Sequence, residues 1–172
     1  MNEIIKAMKE RRSIRKYKSE QIKDTELEQI LEAGLYAASG RGQQATKLVV
    51  VQDKDTIARL SKMNAAGMGA DTDPFYGAPV ILIVLSKRDW PCKVYDGSCS
   101  MENMMLMAND LGLGSVWIHR AKEEFEADWG KNLLKSLGIN EEYEGIGHLA
   151  IGYPAISNPN PAPRKENRVY CI

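Results

Sequence analysis

Helical and strand patterns alternate along these 172 residues without forming a regular βαβ series, so the sequence predicts a single domain of mixed α and β class, residues 1–172. Two observations carry this. Four short apolar runs have strand length, at 48–51, 80–85, 115–118 and 146–152, and segments with apolar residues at helical spacing lie between them. The 44% hydrophobic and 27% charged content is that of a globular chain long enough to bury a core.

Ile4, Ile5 and Met8 share one face of a short first helix, which runs directly into a basic cluster. A second helix starts at a capping box of Thr25 and Glu28 and continues through Leu27, Ile30, Leu31 and Leu35. It breaks down at the glycine-punctuated loop Ser39-Gly40-Arg41-Gly42. Leu48 to Val51 then reads as a buried strand, and Ile57, Leu60 and Met63 as a short helix. Residues 64–77 form a Gly-, Ala- and Asp-rich loop, long enough to be functional or mobile. Val80 to Leu85 is the second strand. Met101, Met104, Met105, Ala108 and Leu111 line a helix whose C′ residue is Gly112, and its methionines pack a core or an interface. Ser115 to Ile118 is the third strand, and Phe125, Trp129, Leu133 and Leu137 mark one more helix, ending at Gly138. Ile146 to Gly152 is the fourth strand.

The tail, residues 154–172, is proline-rich as far as Pro163 and ends in the apolar run Val169 to Ile172. Prolines keep such a segment extended and away from its own domain. Adding its apolar end as an edge strand to a partner's sheet buries it, so the sequence predicts a homodimer.

The 23 Lys and Arg residues balance 23 Asp and Glu, so neither nucleic acid nor a membrane surface, both of which select a basic excess, is an expected partner. No apolar run approaches a bilayer span, and the first ten residues are too polar for a signal peptide. The three cysteines, Cys92, Cys99 and Cys171, show no CxxC spacing and fit a reducing cytoplasm.

Against this neutral background, Arg11-Arg12-Ser13-Ile14-Arg15 gathers three guanidinium groups and a hydroxyl within five residues. Arginine forks give a phosphate paired, charge-assisted hydrogen bonds. A solvated helix end, where cations meet the negative dipole terminus, accounts for the same cluster. Arg164-Lys165 is a second basic pair, and convergence of the two would define an anion site. The loop at 39–44 is not a Walker loop, since no Gly-Lys-Ser/Thr follows. It is not a dinucleotide fingerprint either, since it lies after a helix and before a strand; a plain turn accounts for it. Cys99, near a helix start, reads as a buried structural thiol. His148 falls inside a strand as a core residue, whereas His119 follows a strand end, where site residues gather. Neither histidine has a ligand-like neighbour at helical spacing, so no metal site is expected, and no serine or cysteine sits in a triad context.

Six segments, taken together, resemble the nitroreductase family of FMN-dependent oxidoreductases. They are RRSIRKY at 11–17, ASGRGQQ at 38–44, FYGAP at 75–79, NMMLMANDLGLGSVWI at 103–118, GHLAIGYP at 147–154 and PRKENRVY at 163–170. They follow family order across nearly the whole chain. The resemblance implies an α+β fold, with a mixed central β-sheet flanked by helices. It also implies an intertwined homodimer that exchanges its C-terminal strand and holds FMN at the subunit interface. By the same resemblance, Arg11 and Ser13 match positions that hold the flavin phosphate, with Arg12 beside them, and Arg164 and Lys165 match a C-terminal basic pair at that phosphate. Arg15 matches a basic residue near the pyrimidine edge of the ring and the ribityl chain. Ala38, Ser39 and Gly40 match a loop lent by the other subunit. His119 and Arg120 match positions whose backbone amides lie near flavin N5 and O4. The family often has Asn and Pro where this chain has Gly42 and Ala45, which loosens the lent loop.

The enzyme so implied takes hydride from NADH or NADPH and passes it, in ping-pong order, to a small-molecule electron acceptor of nitroaromatic or quinone type. The flavin carries the chemistry, and no catalytic acid or base is named. Arg15 would stabilise the negative charge that reduction places on the ring. Nothing selects between the two nucleotides without a Rossmann fingerprint. Alternative readings are another reductive branch of the fold, such as a dehalogenase, a flavin-binding carrier or sensor without turnover, and a phosphoanion-binding module without flavin.

Overall fold

The computed structural model describes residues 2–172; Met1 lies outside the described residues. The sheet is built around the chain's most continuous apolar run. β2 (Val80–Lys87) is buried over all but its last residue. It pairs on one side with β1 (Thr46–Val51) and on the other with β4 (Tyr143–Gly152), whose far edge takes β3 (Gly114–Ile118), giving the order β1-β2-β4-β3. β2 shows no polar alternation because helices cover both of its faces. Ile81, Ile83 and Leu85 join one core with Leu60, Phe75 and Phe125, while Val80, Leu82 and Val84 join the other with Ile30, Met101 and Met104.

The α+β class holds, with one refinement. Every pairing among the four strands is antiparallel. The parallel component expected of a mixed sheet is confined to an isolated bridge, Ser13↔Ser115, made by a segment that pairs too briefly to count as a strand. From Ala155 onward every residue is exposed and none is in a strand. The expected strand at Val169 to Ile172 therefore does not form within its own chain, which leaves Val169 84% exposed.

The helices are α1 (Glu3–Glu10), α2 (Asp24–Leu35), α3 (Lys54–Met68), α4 (Lys93–Asp110), α5 (Ala121–Glu126) and α6 (Asp128–Ser136). Asn2 caps α1 through its side-chain oxygen, which accepts from the Ile4 N–H at 3.0 Å. α2 begins before the expected Thr25–Glu28 box. The carboxylate that reaches back is that of Glu26, which accepts from the Lys23 N–H at 2.9 Å and is also held by the Tyr153 hydroxyl at 2.7 Å. α3 is longer than expected and consumes the first part of the predicted 64–77 loop. It ends at Gly69 in the left-handed conformation (φ 65°).

The stretch read as one helix around Phe125 to Leu137 is two, because Ala127 is extended. Gly130 then passes so near the Glu124 carbonyl oxygen that an added Cβ would lie 2.2 Å from it. α4 starts early enough to put Cys99 in its interior, where the thiol is exposed, so Cys99 is neither at a helix start nor buried. Among the described residues, no helix is long and apolar enough to cross a membrane.

Candidate functional site

Beyond α1, the basic cluster runs along the ends of β3 and β4. The Ile14 N–H donates to the Ser115 carbonyl at 3.0 Å, the Lys18 N–H to the Tyr153 carbonyl at 2.9 Å, and the Ala155 N–H returns to the Lys16 carbonyl at 3.0 Å. The apolar members anchor the segment. Ile14 is buried against Gly114, where a Cβ would lie 2.8 Å from the isoleucine side chain. The buried Tyr17 hydroxyl lies 2.7 Å from the Ile14 carbonyl and 3.1 Å from that of Ala150. Burial pushes this phenol well above its ordinary pKa, against the opposing pull of the Arg15 charge.

With Ile14 and Tyr17 inside, the polar residues face outward. Arg11, Arg12 and Ser13 are half-buried and Arg15 is exposed. Arg12 is committed to the backbone: its Nη1 donates to the Arg11 carbonyl at 2.5 Å and its Nε to the Pro159 carbonyl at 3.1 Å. Arg11 differs. Its Nε lies 3.8 Å from Glu102, and its Nη1 is buried with no hydrogen-bond partner. The tail crosses this segment at 158–159, where the Asn158 amide also donates to the Glu10 carbonyl at 3.3 Å. Arg164 and Lys165 lie beyond that crossing on the exposed tail, and their convergence with Arg11 is not seen within the single chain.

Ala38, Ser39 and Gly40 lead into a 3₁₀ turn, Gly40–Gly42, in which Arg41 adopts a left-handed φ of 52°. Ser39 Oγ accepts from the Gln44 N–H at 3.1 Å, closing the turn on itself. The buried Asp96 of α4 accepts from the Gly40 N–H at 3.0 Å, a contact that no local motif announced.

His119 and Arg120 form the corner between β3 and α5. Arg120 has a left-handed φ of 77°. The corner opens on a hollow of about 440 Å³ that Lys122, Glu144 and Ile146 also line. Glu144 faces two lysines, Lys93 at 3.6 Å and Lys122 at 3.9 Å. Underneath lies a buried polar cluster of Asn64, Glu124 and His148. His148 was legible as a core residue; its partners were not. The corner and the basic segment lie at opposite ends of one strand: Ser13 pairs with Ser115 near its start, and His119 follows its last residue.

The family model for the nitroreductases matches residues 8–74 and 68–153, which takes in all of these elements except the tail. The chain belongs to the nitroreductase family. A relative from Archaeoglobus fulgidus, named as an NADH dehydrogenase/NAD(P)H nitroreductase, is 33% identical over 159 residues, covering 90% of this chain and 87% of its own. An FMN reductase [NAD(P)H] of Bacillus subtilis is 34% identical, covering 90% of this chain and 67% of its own. The crystal structure of a Bacteroides fragilis nitroreductase with bound FMN superposes over the full length of both chains, with a TM-score of 0.91 at 27% identity.

The residues of this nitroreductase-family chain fit a phosphorylated flavin on one count that is independent of those names. A buried guanidinium nitrogen without an acceptor is costly, and Arg11 Nη1 is such a group, beside an Arg12 whose own guanidinium donates to backbone carbonyls.

Proposed function

We propose that this chain is an FMN-dependent oxidoreductase that takes hydride from NADH or NADPH and reduces nitroaromatic or quinone-type acceptors in ping-pong order. The unpartnered Arg11 Nη1 at the end of β3 carries the reading. FMN, when bound, supplies the redox chemistry, accepting a hydride from the nucleotide and passing reducing equivalents to the acceptor.

The protein's part is position and charge. Arg11 and Ser13 hold the phosphate. Arg12, tied to the Arg11 and Pro159 carbonyls, shapes the segment and fastens the tail across it. Arg15, exposed beside this anchor, sets a fixed positive charge at the ring edge that becomes electron-rich on reduction. From the basic segment to the corner at His119 and Arg120 is about four strand residues, roughly 13 Å at the usual rise. A ribityl-linked phosphate and ring can span that length.

The second subunit completes the site. Its Ala38–Gly40 loop covers the ring, and its Arg164-Lys165 pair joins the phosphate. Tyr36 is 82% exposed in the single chain, and with Leu35, Ile4 and Val169 it supplies apolar surface for such a dimer to bury.

The test is spectroscopic. Purified protein should be yellow, bleach under anaerobic NADH or NADPH, and recover its colour on addition of a quinone or a nitroaromatic compound. Initial rates at several acceptor concentrations should give parallel double-reciprocal lines. Protein that stays colourless after incubation with FMN overturns the proposal.

A further inference from the structure

Asn64, Glu124 and His148 lie almost without solvent contact in the core that Leu60, Phe75 and Phe125 line. Three polar side chains in an apolar layer are costly there unless each is held, and leucine-like packing would avoid the cost altogether. Their contacts converge on one point. The Asn64 amide nitrogen lies 2.7 Å from Glu124 Oε1 and 2.7 Å from the backbone carbonyl of His119. Glu124 Oε2 in turn lies 2.8 Å from His148 Nε2, off the direction of a hydrogen bond. The His148 ring packs against Phe75, with centroids 5.4 Å apart. α3, α5 and β4 therefore each contribute one side chain to a chain of contacts that ends on His119 O.

That carbonyl shares its peptide plane with the Arg120 N–H. The chain has no cis peptide among the described residues, so C=O and N–H point in opposite directions across the bond. Pinning His119 O inward aims the Arg120 N–H outward, away from the core. The next carbonyl is held as well: the Glu124 backbone N–H donates to Arg120 O at 3.2 Å. Arg120 itself keeps a left-handed φ of 77°, a conformation that costs a non-glycine residue on the order of 1 kcal/mol and persists only where surroundings over-determine it.

We infer that Asn64, Glu124 and His148 are positioning residues that hold the His119–Arg120 peptide in one orientation toward the bound flavin. The inference rests on the flavin reading above. The network touches no substrate and moves no proton; it fixes the direction of a donor. A hydrogen bond donated to the ring favours its electron-rich reduced form, so loss of that direction lowers the midpoint potential.

The test compares Asn64→Leu with Glu124→Gln in the full-length protein. Leucine removes the amide that bridges Glu124 to His119. Glutamine keeps an acceptor for Asn64 and offers an N–H to His148. Two readouts apply: hydrogen exchange of the residue-124 backbone amide, which donates to Arg120 O, in the FMN-free protein, and the flavin midpoint potential in the loaded protein. Asn64→Leu should raise exchange at the residue-124 amide at least tenfold and lower the reduced-to-oxidised flavin ratio at a fixed potential at least threefold. Glu124→Gln should stay within twofold of wild type in both. A lowered Tm accompanied by wild-type exchange, or by a wild-type potential, overturns the inference, because a purely structural network predicts that result. Should Asn64→Leu fail to fold, Asn64→Ser, too short to bridge both acceptors, replaces it with the same expectations. Wild-type protein that takes up no FMN overturns the flavin reading itself, and the inference with it.

Discussion

The carboxylate of Asp96 pins the Gly40 loop from inside its own chain. Oδ1 accepts from the Gly40 N–H at 3.0 Å, while Oδ2 accepts from the Trp90 indole N–H at 2.8 Å. The fit is close: a Cβ on Gly40 would lie 3.0 Å from the Trp90 ring and 3.1 Å from Cys92 Sγ. Gly42 and Ala45, which depart from the family pattern and suggest a loose loop, are thus offset by an anchor one residue before the turn centre.

Asp96→Ala removes both acceptors and leaves the indole N–H and the Gly40 N–H without partners. An unsatisfied buried donor costs about 1–3 kcal/mol, so the variant should unfold at clearly lower denaturant with an unchanged slope. If the partner's loop covers the flavin, FMN dissociation should also quicken, measured by the rise of free-flavin fluorescence on dilution. Stability lost with an unchanged release rate would show that the loop does not contribute to retention.

Arg11 and Arg15 should separate on substitution. Arg11→Ala removes the buried, acceptor-less Nη1, and a charged hydrogen bond is worth about 1.5–3 kcal/mol, so FMN should bind roughly ten- to a hundredfold more weakly. Arg15→Ala, at an exposed position, should bind FMN nearly as well but show a lower midpoint potential. An unchanged potential in flavin-loaded Arg15→Ala would refute the role given to Arg15.

Tyr17 supplies a pH signature. Its folded pKa is raised by burial above the ordinary value of 10.0. The folded state therefore binds the phenolic proton more tightly than the unfolded chain. The stability it contributes is complete below pH 10 and declines as pH rises through the folded value. Tyr17→Phe should cost about 1 kcal/mol at pH 7 by freeing the Ile14 and Ala150 carbonyls. Above pH 10 the wild-type Tm should fall faster than that of Tyr17→Phe, so the two curves converge. Parallel Tm curves across that range would contradict the assignment.

What was legible in the sequence was legible for local reasons. β2 is an uninterrupted apolar run, and Gly112 and Gly138 end their helices with φ of 74° and 75°. The basic cluster stands out because three arginines on a neutral chain need a reason. Where the structure departs from local pattern, the cause is a distant contact. The residues from 64 to 68 have loop-like composition, but Asn64 is held inside α3 by Glu124, 60 positions away. The anchor of the Gly40 loop is 56 positions away, and no spacing rule reaches that far. Thr25 and Glu28 satisfy the capping pattern in sequence, but the carboxylate that reaches back is Glu26, which also meets Tyr153, 127 positions away and just past β4. Strand direction was not accessible either, because it depends on how each crossover packs rather than on strand composition.

Packing against β3, rather than charge, positions the basic segment. Gly114 opens β3, and its missing side chain is the space into which Ile14 fits: an added Cβ would lie 2.8 Å from both Ile14 Cβ and Cγ2. A contact below 3.0 Å to a β-carbon cannot be relieved by a rotamer change, so Gly114→Ala must move the backbone of 13–15 away from the strand. Overpacking of this kind costs about 1–3 kcal/mol. The displacement stretches the Ile14 N–H to Ser115 carbonyl bond, now 3.0 Å, and shifts Arg11, Ser13 and Arg15 with it. Gly114→Ala should therefore lower Tm and weaken FMN binding several-fold, although no charge or polar group has changed. Gly138→Ala, far from the segment and with nothing within 4 Å of the new methyl, should lower Tm through its positive φ alone and leave FMN affinity at the wild-type value. Equal FMN affinity in both variants, at matched losses of stability, would mean that the phosphate site tolerates displacement of its backbone and that charge alone secures the anion.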